Sequence, residues 1–369
     1  MFTSVFYLLA TEELERAYER GEIDVSPMRY AGPAVQAARD LIVDPSHHAW
    51  VRTHWGDDYM HDENVFFRAL VISGLTSHEA LTRDGSSLAM LRDQVESLAE
   101  ALDASPWGLL DDYPGECYPI DVLAAIGIIR RADAVLGTDH SAFVARSLRA
   151  FEGDMADSHG LPRYRVDLPS ARQVQPARGV GNSWILVFAP ELWPDRAREW
   201  YSRYESSFWE ERGWASGFRE WARDEGEPEW GFEIDAGFVF DGLGTAASAF
   251  GIAAARRNGR FDHAYALSAE LAAVQWALPD GTLFWPRAFS HAIDAPYLGE
   301  AGLLYFMTVQ PASDVPIVRG GHVPGLVFVG LIVYFGMSAV GVWVAITAIR
   351  RFRSLRDREL EGKARDSSR

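Results

Sequence analysis

The chain has 369 residues, 48% of them hydrophobic, enough for one large core or two medium ones. A formal charge of −17 excludes a nucleic-acid binder, because nothing would neutralise the phosphates. One cysteine, Cys117, excludes an internal disulfide and a cysteine-rich zinc site, while 13 Trp and 20 Phe supply large side chains to line a cavity.

Taken in order, the body up to about residue 310 has helical periodicity and no convincing run of alternating strand residues. Helices are predicted over 2–20, 31–43, 62–75, 86–103, 119–136, 139–153, 181–192, 195–212, 236–257, 262–278 and 297–309. Short plain turns, such as Gly137–Thr138 and Asn258–Gly259, alternate with long loops rich in aromatic, Gly, Pro and charged residues, at 44–61, 104–118, 154–180, 213–235 and 279–296. A hairpin unit of about 60 residues therefore repeats. In each, a decorated loop leads into an apolar helix and a short turn leads into a more charged one. Helices 119–136, 181–192, 236–257 and 297–309 are apolar nearly all round, as helices walled in by neighbours should be. Those at 86–103, 139–153 and 195–212 have charged faces, as an outer ring should. The expected fold is all-α, an (α/α)6 toroid over residues 1–312, with a helical solenoid as the alternative. Such a toroid wants twelve helices against the eleven counted, which places the shortfall, and a lost upstream start, at the N-terminus.

After a linker at 313–322, Val323–Ile349 carries no charge across 27 residues and reads as one transmembrane helix. Gly341 and Ala345 form a small-xxx-small pair that suits helix pairing and homo-oligomers. The tail, 350–369, holds eight Lys/Arg against four Asp/Glu, so the positive-inside bias places it in the cytoplasm and the body outside. Met1–Ala10 is apolar but lacks a basic n-region and a cleavage site. Either a start lies upstream, which is the reading favoured, or the body is cytoplasmic.

The chemistry is expected where the long loops enter the inner helices. His54, Asp57 and His61 have spacings suited to a metal or an acid/base pair, against a plain reading in which Asp62 caps a helix and Glu63 serves its dipole. Along Asp111–Arg131, Gly115 permits a turn, Pro119 suits a first helical turn, and Asp121 lies where the dipole favours an anion. Glu116, Cys117, Tyr118 and Asp121 are thereby presented at one helix start. Glu116 and Asp121 suit proton transfer, and Cys117 is biased towards thiolate, the bland alternative being capping acids and a buried thiol. In Arg178–Trp184, the glycines open backbone amides to a ligand, Arg178 offers a fork, and Asn182 and Trp184 orient and pack. Asp235, introducing helix 236–257, is the favoured catalytic carboxylate, with a helix cap as the competing role. Trp285, Arg287, His291 and Tyr297 would complete an aromatic wall. No nucleophile elbow, Ser–His–Asp spacing or dinucleotide fingerprint appears, and no cofactor or resident metal is expected.

Cys117-Tyr118-Pro119-Ile120-Asp121, Asn64-Val65-Phe66-Phe67 and Asp235-Ala236-Gly237 together resemble bacterial (α/α)6-barrel proteins of the linalool dehydratase/isomerase type, over roughly residues 50–310. The resemblance implies a toroid binding a terpene alcohol at its inner-helix mouth. It also implies loss of water or shift of a hydroxyl by cysteine, histidine and aspartate without an organic cofactor. Ile126 stands where that family has a second cysteine, Leu70 lies near its histidine position, and His61 and His78 are out of register. Only Cys117 and, more loosely, Asp121 carry over. Three functions are weighed: a lyase or isomerase acting on a small apolar alcohol through Asp235, Glu116 and Asp121, assisted by Cys117 or His61; a carbohydrate-active enzyme, glycosidase or epimerase; and a non-catalytic membrane-tethered binding module.

Overall fold

A computed structural model describes the chain except residues 227–228, 234, 293–294 and 367–369, and except the side chains of 292 and 357–366. The protein is mostly helical. Its α-helices are α1 (Phe2–Glu19), α2 (Met28–Val43), α3 (Ala49–Trp55), α4 (Val65–Thr82), α5 (Leu88–Ala104), α6 (Pro119–Leu136), α7 (Ser141–Ser147), α8 (Gly179–Leu192), α9 (Pro194–Phe208), α10 (Thr245–Arg257), α11 (Phe261–Gln275), α12 (Phe284–Ala292), α13 (Leu298–Thr308) and α14 (Gly325–Asp366).

Apolar residues run all round α4, α6 and α8, and these helices are buried along most of their length. By contrast α5 buries only Leu91, Gln94, Val95, Leu98, Ala99 and Leu102, the single stripe of a helix with one wet face. The packing pairs follow from this difference. α1 packs on α4, α4 on α6, α6 on α8, α8 on α10, α10 on α13, and α13 back on α1. Against these lie α2, α5, α9, α11 and α12. Gly127 sets the closeness of α6 and α8, since a Cβ there would lie 2.7 Å from Phe188 Cβ. Gly127→Val should therefore lower stability by at least about 1–3 kcal/mol through overpacking, read by thermal or urea unfolding. An unchanged midpoint would show that these helices slide apart freely.

Charge is buried further along the same helices. Glu12 on α1 accepts from Ser77 Oγ of α4 at 2.6 Å and from Arg131 Nη2 of α6 at 2.8 Å. Glu13 pairs with Arg257 of α10, which also reaches Glu191 of α8. One helix is thus tied to three others by ion pairs and hydrogen bonds, and through Arg257 to α8.

Several expectations change. The region 236–257 is helical only from Thr245; before it stand β5 (Trp230–Glu233), β6 (Gly237–Phe240) and β7 (Leu243–Gly244), antiparallel in that order. Two further hairpins, β1 (Arg165–Asp167) with β2 (Arg172–Gln175) and β3 (Trp209–Glu211) with β4 (Ser216–Phe218), decorate the loops. Two helices are missing from the sequence count, α3 within 44–61 and α12 within 279–296, both stretches read as loop. The helix predicted over 139–153 is α7 followed by short 3-10 turns at Leu148–Phe151 and Gly153–Met155.

Gly325–Arg356 of α14 is long and apolar enough to cross a membrane, with an 18-residue stretch of mean hydropathy 2.2, and little of that stretch is covered by the body. It leaves the body beside β3–β4, where Gly325 N donates to Gly213 O and Leu326 N to Trp214 O. It then runs along α11.

Candidate functional site

The loops that lead into the apolar helices are bonded to one another. Val65 N, opening α4, donates to Asp111 O, and Asp111 N donates to Glu63 Oε2 at 2.6 Å. Val166 N of β1 donates to Cys117 O just before α6. Tyr164 OH donates to Asp235 Oδ2 at 2.9 Å, joining the loop before α8 to the turn between β5 and β6. Thr3 Oγ1 at the start of α1 donates to Pro296 O, just before α13.

Within this junction three carboxyl groups influence one another. Asp112 is fully buried and accepts from Tyr118 N at 2.9 Å; burial first, then the Asp121 charge, raises its pKa well above the carboxylate range. Asp121, in the first turn of α6 behind Pro119, is pushed up to about 7 by burial and by the charge of Asp235. These two effects outweigh the helix dipole, which favours the anion. Among the described residues the Asp121 carboxylate has no hydrogen-bond partner, although the side chain stays partly accessible. Three tyrosines surround the acids. Tyr118 OH donates to Glu116 Oε2 at 2.8 Å, and its ring meets Tyr164 edge-on at 5.5 Å. Burial and the neighbouring carboxylates raise the phenols of Tyr113, Tyr118 and Tyr164, so all three stay protonated donors. Arg165 stands 3.5 Å from Glu116 and over the Tyr118 ring.

Arg178, at the start of α8, is buried with its fork taken up internally. Nε donates to Glu220 Oε1 at 2.7 Å, Nη2 pairs with Glu233, and the guanidinium lies between the rings of Tyr164 and Trp221. Burial pushes Glu220 up to about 7 against the pull of Arg178. The glycine amides expected to face a ligand are also engaged, Gly179 N by Glu220 O and Val180 N by Glu220 Oε2. Gly179 is required for packing, because a Cβ there would collide with Arg219 O. Asn182 is buried and donates to Arg178 O, while its Oδ1 has no partner among the described residues. Trp184 is half-buried, edge-on to Phe6 of α1 and Phe250 of α10, and Phe6 and Phe250 also meet Phe306 of α13. Rings from four helices therefore gather in one apolar cluster.

Other sequence candidates lie elsewhere. Asp57 is exposed and pairs with Arg52 at 2.5 Å. His61 is exposed between Asp58 and Asp93, the latter on α5, and His54 packs on Tyr113, so the three form no common site. Helix α4 begins at Val65, after a left-handed Asn64, so Asp62 is not its cap. Trp285 is exposed on α12 against Trp276 and Phe284, and Tyr297 is exposed below Arg287. Asp235 caps no helix; it sits in the β5–β6 turn. Cys117 is fully buried, and burial with the nearby acids raises its thiol pKa, so it is a thiol and not the thiolate expected at a helix start. Iodoacetamide at pH 8 should leave Cys117 unmodified in the native protein and modify it only after unfolding, as read by intact mass. Rapid native labelling would overturn this.

Two groups have metal-ligand spacing, His78–Glu79–Asp84 and Asp157–His159–Glu225. In each the central carboxylate already accepts backbone amides: Glu79 from Gly85 and Ser87, Asp157 from His159, Leu161 and Ala177. Both staple loops. An open cleft of about 450 Å³ lies between the C-terminal halves of α1, α4 and α6, lined by Glu12, Arg16, Glu19, Glu79 and Arg83, none of them in the acid cluster.

No protein-family model and no curated protein matches the chain.

Sequence reasoning missed Asp112, Tyr164 and Glu220. Asp112 is the second acid of DDYPG, and nothing but burial separates it from Asp111. Tyr164 carried a short signal, the alternation of buried Tyr164 and Val166 with more exposed Arg163 and Arg165.

Proposed function

We propose that the protein is a membrane-anchored (α/α)6 toroid acting as a cofactor-independent lyase or isomerase on a small, largely apolar alcohol. Support for the toroid comes from the packing order α1–α4–α6–α8–α10–α13, which returns to α1 with further helices outside. The observation that carries the chemistry is Asp121, a carboxyl without a hydrogen-bond partner among the described residues, whose proton is held to about pH 7 beside a second acid. A carboxylic acid that keeps its proton near neutral pH can serve as a proton donor. In this reading Asp121 protonates the departing hydroxyl, and Asp235, oriented by Tyr164, takes a proton from the adjacent carbon. Water and an alkene result, or the hydroxyl returns at another carbon. Glu116 and Tyr118 form a second hydrogen-bonded pair at the rim. The ring cluster around Trp184 offers an apolar floor. α14 holds the body at the membrane, with the basic tail in the cytoplasm and the body outside.

A carbohydrate-active enzyme is the second reading. The same acid pair suits glycoside cleavage, and the outward rings of Trp230, Phe232, Phe238 and Phe240 beside Asp235 suit sugar stacking. The test is to offer the purified full-length protein terpenoid alcohols and oligosaccharides and follow products by mass spectrometry. Dehydrated or rearranged alcohol supports the first reading, and shortened oligosaccharide replaces it with the second. Turnover that Asp121→Asn and Asp235→Asn leave unchanged would remove the acid-pair mechanism.

A further inference from the structure

Helix α12 has one face that the described residues leave about half exposed. Phe284, Trp285, Ala288 and Phe289 are exposed, and their spacing places them on a single side. The opposite side is fixed to the body. Pro286 and Ser290 are buried, Ser290 Oγ donates to Glu300 Oε2 at 2.9 Å, and Gly299 N donates to Ser290 Oγ at 2.9 Å. The nearby cation is drawn aside, Arg287 lying over the Tyr297 ring at 5.1 Å. An amphipathic helix is thus held rigidly with two phenylalanines and a tryptophan pointing away from the core.

Its surroundings say what it faces. Trp276, just before α12, stacks on Phe284 at 6.2 Å, meets Trp285 at 5.5 Å and lies 6.3 Å from Tyr334 of α14. Tyr334 OH donates to Ala277 O at 2.7 Å, fixing α14 to this corner. Beyond Tyr334 the uncharged run continues only through Ile349, about 22 Å of helix at 1.5 Å per residue. A bilayer's hydrocarbon layer is about 30 Å thick. If α14 crosses it, the layer's near edge therefore reaches Tyr334 or above, and the rings of Trp276, Phe284 and Trp285 stand at that level. Phe and Trp on one face of a helix, at the depth of the headgroup and acyl boundary, suit interfacial insertion.

We propose that the apolar face of α12 rests in the interfacial zone of a phospholipid bilayer beside α14, so that the body lies on the membrane instead of hanging from a tether. This rests on the reading of α14 as a membrane anchor. The test uses the full-length chain at one copy per phospholipid nanodisc, with a nitrobenzoxadiazole label on Ala288→Cys. Native Cys117 is buried, and the parent protein controls for its labelling. Val340→Cys reports the anchor, and Thr53→Cys, exposed on α3, reports water. The label at 288 should be blue-shifted, and quenched by shallow nitroxide lipid at least about twofold more than the label at 53. Phe289→Cys should agree, which guards against a local disturbance at 288. Quenching at 340 with 288 and 289 behaving like 53 would overturn the proposal and leave the anchor standing. Quenching at 288 without quenching at 340 would keep the interfacial helix and remove the anchor. A blue shift at 288 without lipid quenching, seen only with two or more copies per disc, would assign the face to a second copy and overturn the proposal.

Discussion

Arg131→Ala is expected to destabilise the protein by about 3–5 kcal/mol, because it strands a carboxylate in the interior. Glu12 is 3% exposed. Burial works against its charge, yet Arg131, Arg16 and Ser77 outweigh that and hold its pKa below the usual carboxylate range. Of its cationic partners only Arg131 is itself nearly buried. Urea unfolding in mild detergent, followed by circular dichroism, measures the loss. Combining Arg131→Met with Glu12→Gln should recover most of it, since removing both charges avoids the orphan. The sign for pH follows from the depressed pKa of Glu12. Its contribution is complete above the unfolded value of about 4.3 and falls away as pH drops through the lower folded value. Arg131→Ala should remove that acid-side loss. A variant as stable as the parent, with the same acid profile, would show that Arg16 and Ser77 suffice.

Asp121→Asn should have the opposite character, with activity lost and stability kept or gained. As proton donor, Asp121 is expected to contribute about 10²–10⁴-fold to turnover, and asparagine donates no acidic proton. Its folded pKa, about 7, lies above the unfolded value. Its stabilising effect is therefore complete below about pH 3.9 and is lost as pH rises towards 7. At pH 8 the parent carries a penalised charge that the variant lacks, so the variant's melting temperature should equal or exceed the parent's. The variant should also show a shallower decline between pH 4 and 7, the remainder coming from other buried acids such as Asp112 and Glu220, whose pKa values are raised in the same way. A variant that melts well below the parent at pH 8 would show that Asp121 is a structural group.

The parts of the fold legible in the sequence are those where a local rule and burial agree. Helix α6 begins at Pro119 and ends before the left-handed Gly137, as proline, first-turn acid and apolar run together predict. The β5–β6 ribbon was misread because its aromatics face outward. Trp230, Phe232, Phe238 and Phe240 share one exposed face, so an apolar count extends α10 backward over Phe238 and Phe240 and leaves Trp230 and Phe232 in a loop. Helix α12 was hidden by Pro286 and by a length of nine residues, too short for periodicity to register. At the site, Asp121 and Asp235 were legible as acids at the starts of apolar segments. Their nearness was legible only through the repeat, because it arises from loops far apart in sequence. Arg178 shows the limit of residue type as a guide. A fork suited to a ligand's carboxylate is satisfied by Glu220 and Glu233, which a linear reading does not bring together.

Asp235 reaches the acid cluster on a ribbon and not on a helix, and that makes its position adjustable by length. Each strand residue adds about 3.4 Å of reach and turns the next side chain to the other face. Inserting two residues into each strand would carry the acid roughly 7 Å further with the same sides outward, without moving a single helix. Closely related chains that differ only in this arm would then accept molecules of different lengths on an unaltered scaffold.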